Sequence, residues 1–263
     1  MINSEYVGPK MDIVMIGSGN VAAVLGRKFI AAGHKIIQII GRNATAASQL
    51  AYEWDTESAN YMSLITRKAD VYLIAVTDSV IAEIIADIKL PGKVVAHTAG
   101  SVSKDILKTV TDHYGVFYPL QSIRKDVNYL PDIPVYFEAS DDKAESVLKK
   151  LAASISLKPP VIAGSEERLK LHVAAVIVNN FVNHLFALAE QFCREEKLDF
   201  RQLLPLIEET VQRLKSSSPA DTQTGPAFRN DEQTLQKHLE ILKNHPHLLH
   251  IYKVITESIN QMK

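Results

Sequence analysis

The stretch Asp12-Ile13-Val14-Met15-Ile16-Gly17-Ser18-Gly19-Asn20-Val21-Ala22 decides the fold. Its first five residues form a short apolar run after Asp12, the pattern of a strand buried on both faces. Gly17-Ser18-Gly19-Asn20-Val21-Ala22 then has the form G-x-G-x-x-A, and a helical pattern occupies residues 20–32. In such a turn the first glycine permits a tight reversal and the second lets a diphosphate approach the backbone. A small third residue allows close helix–strand packing. The start of the helix offers unpaired N–H groups and partial positive charge to phosphates. Glycines also build ordinary turns, and methyltransferases use related loops. The motif gains its meaning from its place at the first strand–helix junction of an alternating chain.

Working outward, apolar runs predict further strands at residues 35–40, 71–76, 93–96, 115–118 and 135–138, with a weak strand near Asn60. Helical patterns occupy residues 44–54, 79–88 and 142–154. Alternation of this kind implies an α/β fold with a largely parallel sheet covered on both faces. After Lys158-Pro159-Pro160 the pattern becomes all-helical, over residues 166–197, 200–216, 232–243 and 246–261. The expected division is a nucleotide-binding domain over residues 1–160 and a helical domain over residues 161–263.

Composition sets limits. A chain of 263 residues suits one or two domains. Hydrophobic residues at 46% and charged residues at 22% give an ordinary globular balance. A net charge of −1 provides no global basic field, which argues against nucleic acid or an anionic membrane as partner. The single cysteine, Cys193, cannot form an internal disulfide, which fits a reducing cytoplasm. Residues 1–10 are polar, lack the apolar core of a signal peptide, and read as a loose leader. Residues 171–189 approach the length of a membrane span but carry His172, Asn179, Asn180, Asn183 and His184. Their cost in hydrocarbon points instead to a buried helix in a soluble protein. His245-Pro246-His247 and His250 read as a surface cap, and no metal constellation is expected.

Coenzyme preference is read at the end of the second strand. NAD sites usually place Asp or Glu there for the ribose hydroxyls. This chain has Ile40-Gly41-Arg42-Asn43 instead. A carboxylate repels a 2′-phosphate, whereas a guanidinium pairs with it and stacks on adenine, so the expectation is NADP(H). Later strand ends should border the same crevice. Val76 and Thr77 are expected near ribose or nicotinamide, while Asp78-Ser79 reads equally as a helix cap. In His97-Thr98-Ala99-Gly100-Ser101, His97 reads as closing a strand and Ser101 as a ligand contact. The expected coenzyme contacts are Gly17, Ser18, Gly19, Asn20, Val21, Arg42, Asn43, Val76, Thr77 and Ser101.

In the long helix, His172 and Asn179 are seven residues apart, which advances about 700° and puts them near one face. Such polar groups need partners, either within the protein or in a polar substrate. Together with the glycine motif and Gly41-Arg42, further strings carry a resemblance. These are Tyr118-Pro119-Leu120-Gln121, His172-Val173-Ala174-Ala175 with Asn180, Pro205-Leu206-Ile207, Thr224 to Asp231, Thr234 and His238. The chain resembles NADP-dependent oxidoreductases with a Rossmann-like amino domain and a helical DUF2520 domain. These are relatives of pyrroline-5-carboxylate reductase, the deazaflavin-dependent NADP oxidoreductases and the β-hydroxyacid dehydrogenases. The resemblance implies a homodimer built around the helical domains. One departure is clear: the helix Lys-x-x-x-Asn pair of the β-hydroxyacid dehydrogenases is absent, since Ala174 follows Lys170 at that spacing.

The resulting expectation is a cytoplasmic NADP(H)-dependent oxidoreductase. It would move hydride between the nicotinamide and a small polar carbonyl or imine compound. His172 is the candidate proton donor, Asn180 an amide that contacts substrate or supports a group that does, and Arg229 an anion anchor. Arg229 also reads as a surface residue, Asp231 as a helix cap, and His238 as sharing the face of Thr234. Two other readings compete: a catalytically silent NADP(H)-binding sensor or assembly protein, and a methyltransferase, against which Arg42 argues.

Overall fold

The computed structural model describes residues 8–127 and 129–262, so residues 1–7 of the expected leader lie outside it. One sheet holds β1 (Asp12–Ile16), β2 (Lys35–Ile40), β3 (Glu57–Ala59), β4 (Val71–Ile74), β5 (Val94–His97), β6 (His113–Pro119), β7 (Val135–Ala139) and β8 (Val161–Ile162). Their spatial order is β3-β2-β1-β4-β5-β6-β7-β8. Every neighbouring pair is parallel except β6 with β7. The chain steps from β1 outward through β2 to β3, then crosses back to β4 on the other side of β1. This creates a switch point at the carboxyl ends of β1 and β4, where ligands of open α/β sheets bind.

Alternation along β1 explains why both faces are covered. Ile13 and Met15 join a core with α1 (Asn20–Ala31), α2 (Ala44–Trp54) and α4 (Asp142–Ile155), while Val14 and Ile16 face a second core with α3 (Ile81–Ala86). Gly26 lets α1 meet α2 closely, since a Cβ there would lie 2.4 Å from the Trp54 ring. The α/β architecture expected from alternation is present. The helix expected at 79–88 is instead a 3₁₀ turn, Asp78–Val80, leading into the shorter α3.

The first compact unit runs to Asn179, beyond the boundary expected at residue 160. Two features extend it. β8 adds to the sheet beside β7, and α5 (Ser165–Ala175) plants the fully buried Arg168 in this unit. A two-residue strand shows no periodicity, so sequence reading passes over it. The second unit, Asn180–Lys263, is all-helical. It comprises α6 (Val182–Glu195), α7 (Leu204–Arg213), α8 (Pro226–Arg229), α9 (Glu232–Ile241) and α10 (Pro246–Gln261).

Between α5 and α6, residues Val176–Phe181 form a π-helical stretch. Its i→i+5 bonding advances each residue by less than 100°, so Asn179 falls further from the face of His172 than a plain α-helix would place it. The expectation that residues 171–189 are buried is also corrected. Ser165–Glu195 is long and apolar enough to cross a membrane, yet only 6% of its most apolar window is buried in this chain. Arg168 of α5 is fully covered, and Leu188 and Cys193 of α6 are buried.

Candidate functional site

Local geometry at the β1–α1 turn follows from its glycines. Gly17 has φ +121°, and a Cβ there would collide with the Ala75 carbonyl oxygen at 2.2 Å. Its N–H donates to the Ile40 carbonyl at 2.7 Å, tying the turn to the end of β2. Gly19 differs, for a Cβ at this position would meet nothing within 4 Å. That open side adjoins the start of α1, which has no side-chain cap and no acidic residue in its first turn. The first N–H groups of such a helix lack intrahelical partners.

These groups border a groove of about 490 Å³ at the switch point. It is lined by Gly17, Ser18, Gly19, Asn20, Val21, Arg42, Asn43, Val76 and Thr77, so nine of the ten expected coenzyme contacts come together. Met62, Val80 and Ile84 add an apolar wall. The tenth, Ser101, is absent from this lining and donates its hydroxyl to the Asp78 carboxylate, joining the loop after β5 to the turn after β4. Asn43 is held by the start of α2: its side chain accepts from the Ala46 N–H and its carbonyl from the Ala47 N–H, each at 3.0 Å.

Arg42 is exposed and its Nη1 donates to both carboxylate oxygens of Glu83, each at 3.2 Å. The carboxylate at this end of the groove therefore comes from α3 rather than from β2. The residues present fit NADP(H): an unfilled space at Gly19, an uncapped helix start for the diphosphate, and a guanidinium beyond β2 for a 2′-phosphate.

Beside the groove, the loop after β5 rests on a buried polar cluster. His97 has no exposed surface. Its Nδ1 accepts from the Ala99 N–H at 3.2 Å, and its Nε2 lies 3.3 Å from the Ser103 carbonyl, to which it donates. Arg168 donates to the carbonyls of Ala163 (2.9 Å) and Val102 (3.1 Å), to Ser165 Oγ (3.2 Å) and to the Glu138 carboxylate. Glu138 also takes Lys104 at 2.5 Å. Burial acts to raise the Glu138 carboxyl, but Arg168 and Lys104 overcome it and hold the group below its usual range.

Burial pushes the His97 imidazole down to about 4, aided by Arg168 and opposed by the Ser103 carbonyl, Asp78 and Glu138. A depressed histidine pKa means that the unfolded chain binds the extra proton first. Stability should be complete above pH ~6.5 and should fall, by something on the order of 3 kcal/mol, as pH drops towards 4. Denaturant unfolding at stepped pH measures this, and His97→Gln should flatten the slope. An unchanged slope in the variant would assign the effect to other groups.

At the end of β6, the buried Tyr118 places its hydroxyl 3.0 Å from Nδ1 of His172 on α5, with the rings edge to face at 6.2 Å. Burial, helped by Asp78, raises the Tyr118 phenol above its usual range. Sequence reading quoted Tyr118 only within a family string and assigned it no role. Its position at a strand's carboxyl end was the available signal. Lys170, whose family partner is missing, is exposed and pairs with Glu166 at 2.6 Å.

The other two expected catalytic residues belong to the second unit. Asn180 is exposed within the π-helical stretch. Arg229 is exposed at the end of α8, near the charge of Asp231. Asp231 caps α9, accepting from the Thr234 N–H at 3.0 Å and from its hydroxyl at 2.7 Å. His238 pairs through Nδ1 with the Tyr252 hydroxyl at 2.8 Å. His245 sits between Glu195 and Glu196, at 2.8 Å from each, and the Glu196 and Glu195 carboxylates raise its pKa above the ordinary value. Among the described residues no cluster of three or more His, Cys, Asp or Glu is arranged to hold a metal.

Family models divide the chain ahead of β7, well before the boundary between the two compact units. A Rossmann-like domain model matches residues 2–121, and the domain of unknown function DUF2520 matches residues 133–259. A presumptive NADP oxidoreductase from Bacteroides fragilis is 34% identical, with a TM-score of 0.88, over 96% of this chain and 98% of that one. The chain belongs to the family that joins a Rossmann-like domain to a DUF2520 domain. Fold similarity extends further. A reductive aminase from Aspergillus terreus, solved with NADPH and ethyl-5-oxohexanoate, is 15% identical with a TM-score of 0.71, over 97% of this chain and 98% of that one. A 1-pyrroline-5-carboxylate reductase from Streptococcus pyogenes is 13% identical with a TM-score of 0.61, over 96% and 99%. A search of curated protein sequences finds no match.

Proposed function

We propose that this protein is an NADP(H)-dependent reductase of a small polar carbonyl or imine compound. The observation that carries the reading is the groove at the switch point, where the Gly17–Val21 turn, Arg42, Val76 and Thr77 face one space. The names of the fold relatives, a reductive aminase and a pyrroline-5-carboxylate reductase, support the substrate class.

In this reading Gly19 and the start of α1 receive the diphosphate, and Arg42 leaves Glu83 to pair with the 2′-phosphate. Val76 and Thr77 border the nicotinamide ribose. When bound, the reduced nicotinamide supplies hydride. His172 holds a proton for the substrate heteroatom. On the second unit, Asn180 offers an amide and Arg229 a guanidinium able to pair with a carboxylate.

Titration calorimetry with NADPH and NADH tests the coenzyme site, followed by NADPH-oxidation screening against carbonyl and imine compounds. Absence of heat with either coenzyme would overturn the reading. Arg42→Ala should weaken NADPH by roughly 10- to 100-fold, the loss of a charge-assisted hydrogen bond or two, and leave NADH nearly unchanged. Glu83→Gln should act in the opposite direction, because it removes a carboxylate that competes with the phosphate.

The same proposal includes a second copy of the chain over the exposed apolar helix faces. Val173, Ile177 and Val178 in the first unit and Phe181, Leu206 and Val211 in the second are all more than half exposed. So many large apolar side chains exposed on helices are rare on a monomer. Sedimentation velocity should give a dimer that Val178→Asp with Phe181→Asp dissociates. A monomer at micromolar concentration, or partition of the protein into lipid vesicles, would refute this part.

A further inference from the structure

We propose that Tyr118 is a positioning residue for His172, holding Nδ1 so that Nε2 is the nitrogen presented to a substrate. The inference rests on the reductase reading and adds to it the group that makes His172 a directed proton donor. It begins from the order of the strands. Along the carboxyl edge of the sheet, β2, β1, β4, β5 and β6 follow one another. Their ends carry, in turn, Arg42, the Gly17–Val21 turn, Val76 with Thr77, the loop with Ser101, and Tyr118. Four strand spacings cover about 19 Å, so Tyr118 lies across the sheet from the 2′-phosphate end of the groove.

Contacts link the last steps of this series. Thr77 lines the groove, and its neighbour Asp78 accepts from Ser101. Gly100, next in line, lies against Tyr118: a Cβ on Gly100 would come within 2.9 Å of the ring and 3.4 Å of its hydroxyl oxygen. Beyond Tyr118 comes His172, whose Nε2 has no hydrogen-bond partner among the described residues.

Hydroxyl chemistry explains why a tyrosine suits this place. A phenol oxygen accepts from Nδ1–H both in the imidazolium and in the neutral ring left when Nε2 has given up its proton. The ring therefore keeps one orientation in both protonation states. In the reducing direction, hydride adds to the substrate carbon while Nε2–H passes its proton to the adjoining oxygen or nitrogen. The C=O or C=N double bond would become single, its electron pair supplied as hydride by the bound coenzyme, and His172 would be left neutral with Nδ1–H still bonded to Tyr118. Nε2 then takes a proton from solvent through the exposed side of the ring.

The test combines Tyr118→Phe with ¹⁵N NMR of the histidine rings, His172 being assigned from the signals lost in His172→Asn. The intact protein should show neutral His172 as one dominant tautomer, its two nitrogens well separated in shift. Tyr118→Phe should bring the two shifts together and lower turnover at least tenfold on any substrate found, with the NADPH affinity within twofold of the parent. Should that variant not fold, Gly100→Ala, which displaces the ring, should give the same convergence. Unchanged His172 signals in a folded variant would overturn the proposal even if NADPH binds. Failure of NADPH to bind the parent protein would overturn the reductase reading instead.

Discussion

Replacing His172 by alanine is expected to lower turnover by about 10²- to 10⁴-fold, the range for loss of a positioned general acid. Coenzyme affinity should stay close to that of the parent. The two effects separate because neither His172 nor Tyr118, its hydrogen-bond partner, is among the residues lining the groove. Steady-state rates give the first quantity and calorimetry the second. Near-parental turnover in His172→Ala would move the proton source elsewhere, and weakened NADPH binding would show that the ring supports the coenzyme. Because the imidazole is partly exposed, small added imidazoles should restore some rate to the alanine variant.

Arg168 should show the largest effect on stability. Its side chain is fully buried and makes four kinds of hydrogen bond, to Glu138, Ser165 and the carbonyls of Val102 and Ala163. Its Nε is the one buried side-chain nitrogen or oxygen among the described residues without a partner. Removing one member of a buried ion pair typically costs about 3–5 kcal/mol, since the remaining charge loses its compensation. Arg168→Met should fall in that range by denaturant unfolding. The double variant Arg168→Met with Glu138→Gln should cost less than the two single changes added together, because no uncompensated carboxylate remains. Additive costs would mean that Arg168 acts through its carbonyl contacts rather than through Glu138. Loss of the pin at Val102 should also loosen the loop that carries Ser101.

Much of the fold was legible because its signals are local. The apolar run of β1, the glycine turn and the spacing of α1 lie within about twenty residues, and α2 and α10 match their expected limits, residues 44–54 and 246–261. Arg42 and the glycines could be placed at one groove because a parallel α/β sheet always gathers its strand ends on one edge. The polar contacts were not legible. Glu138 meets Arg168 across thirty residues and Tyr118 meets His172 across fifty-four. No local pattern announces either pair, and a residue with an obvious local reading, Asn43, spends its side chain on a helix cap.

By itself, the amino-acid sequence determined the alternating α/β unit, the helical unit after it, and the glycine-rich turn after β1 with an arginine in place of a carboxylate beyond β2. These depend on periodicity, on glycine's freedom at positive φ and on charge, all of which are properties of short segments. Tertiary structure alone decided that β7 runs antiparallel, that β8 carries the first unit to Asn179, that Glu83 holds Arg42, and that Tyr118 meets His172. Each of those is a pairing between distant segments. Which partners meet is set by packing of the whole sheet and its helices, a free-energy balance that no single stretch of the chain contains.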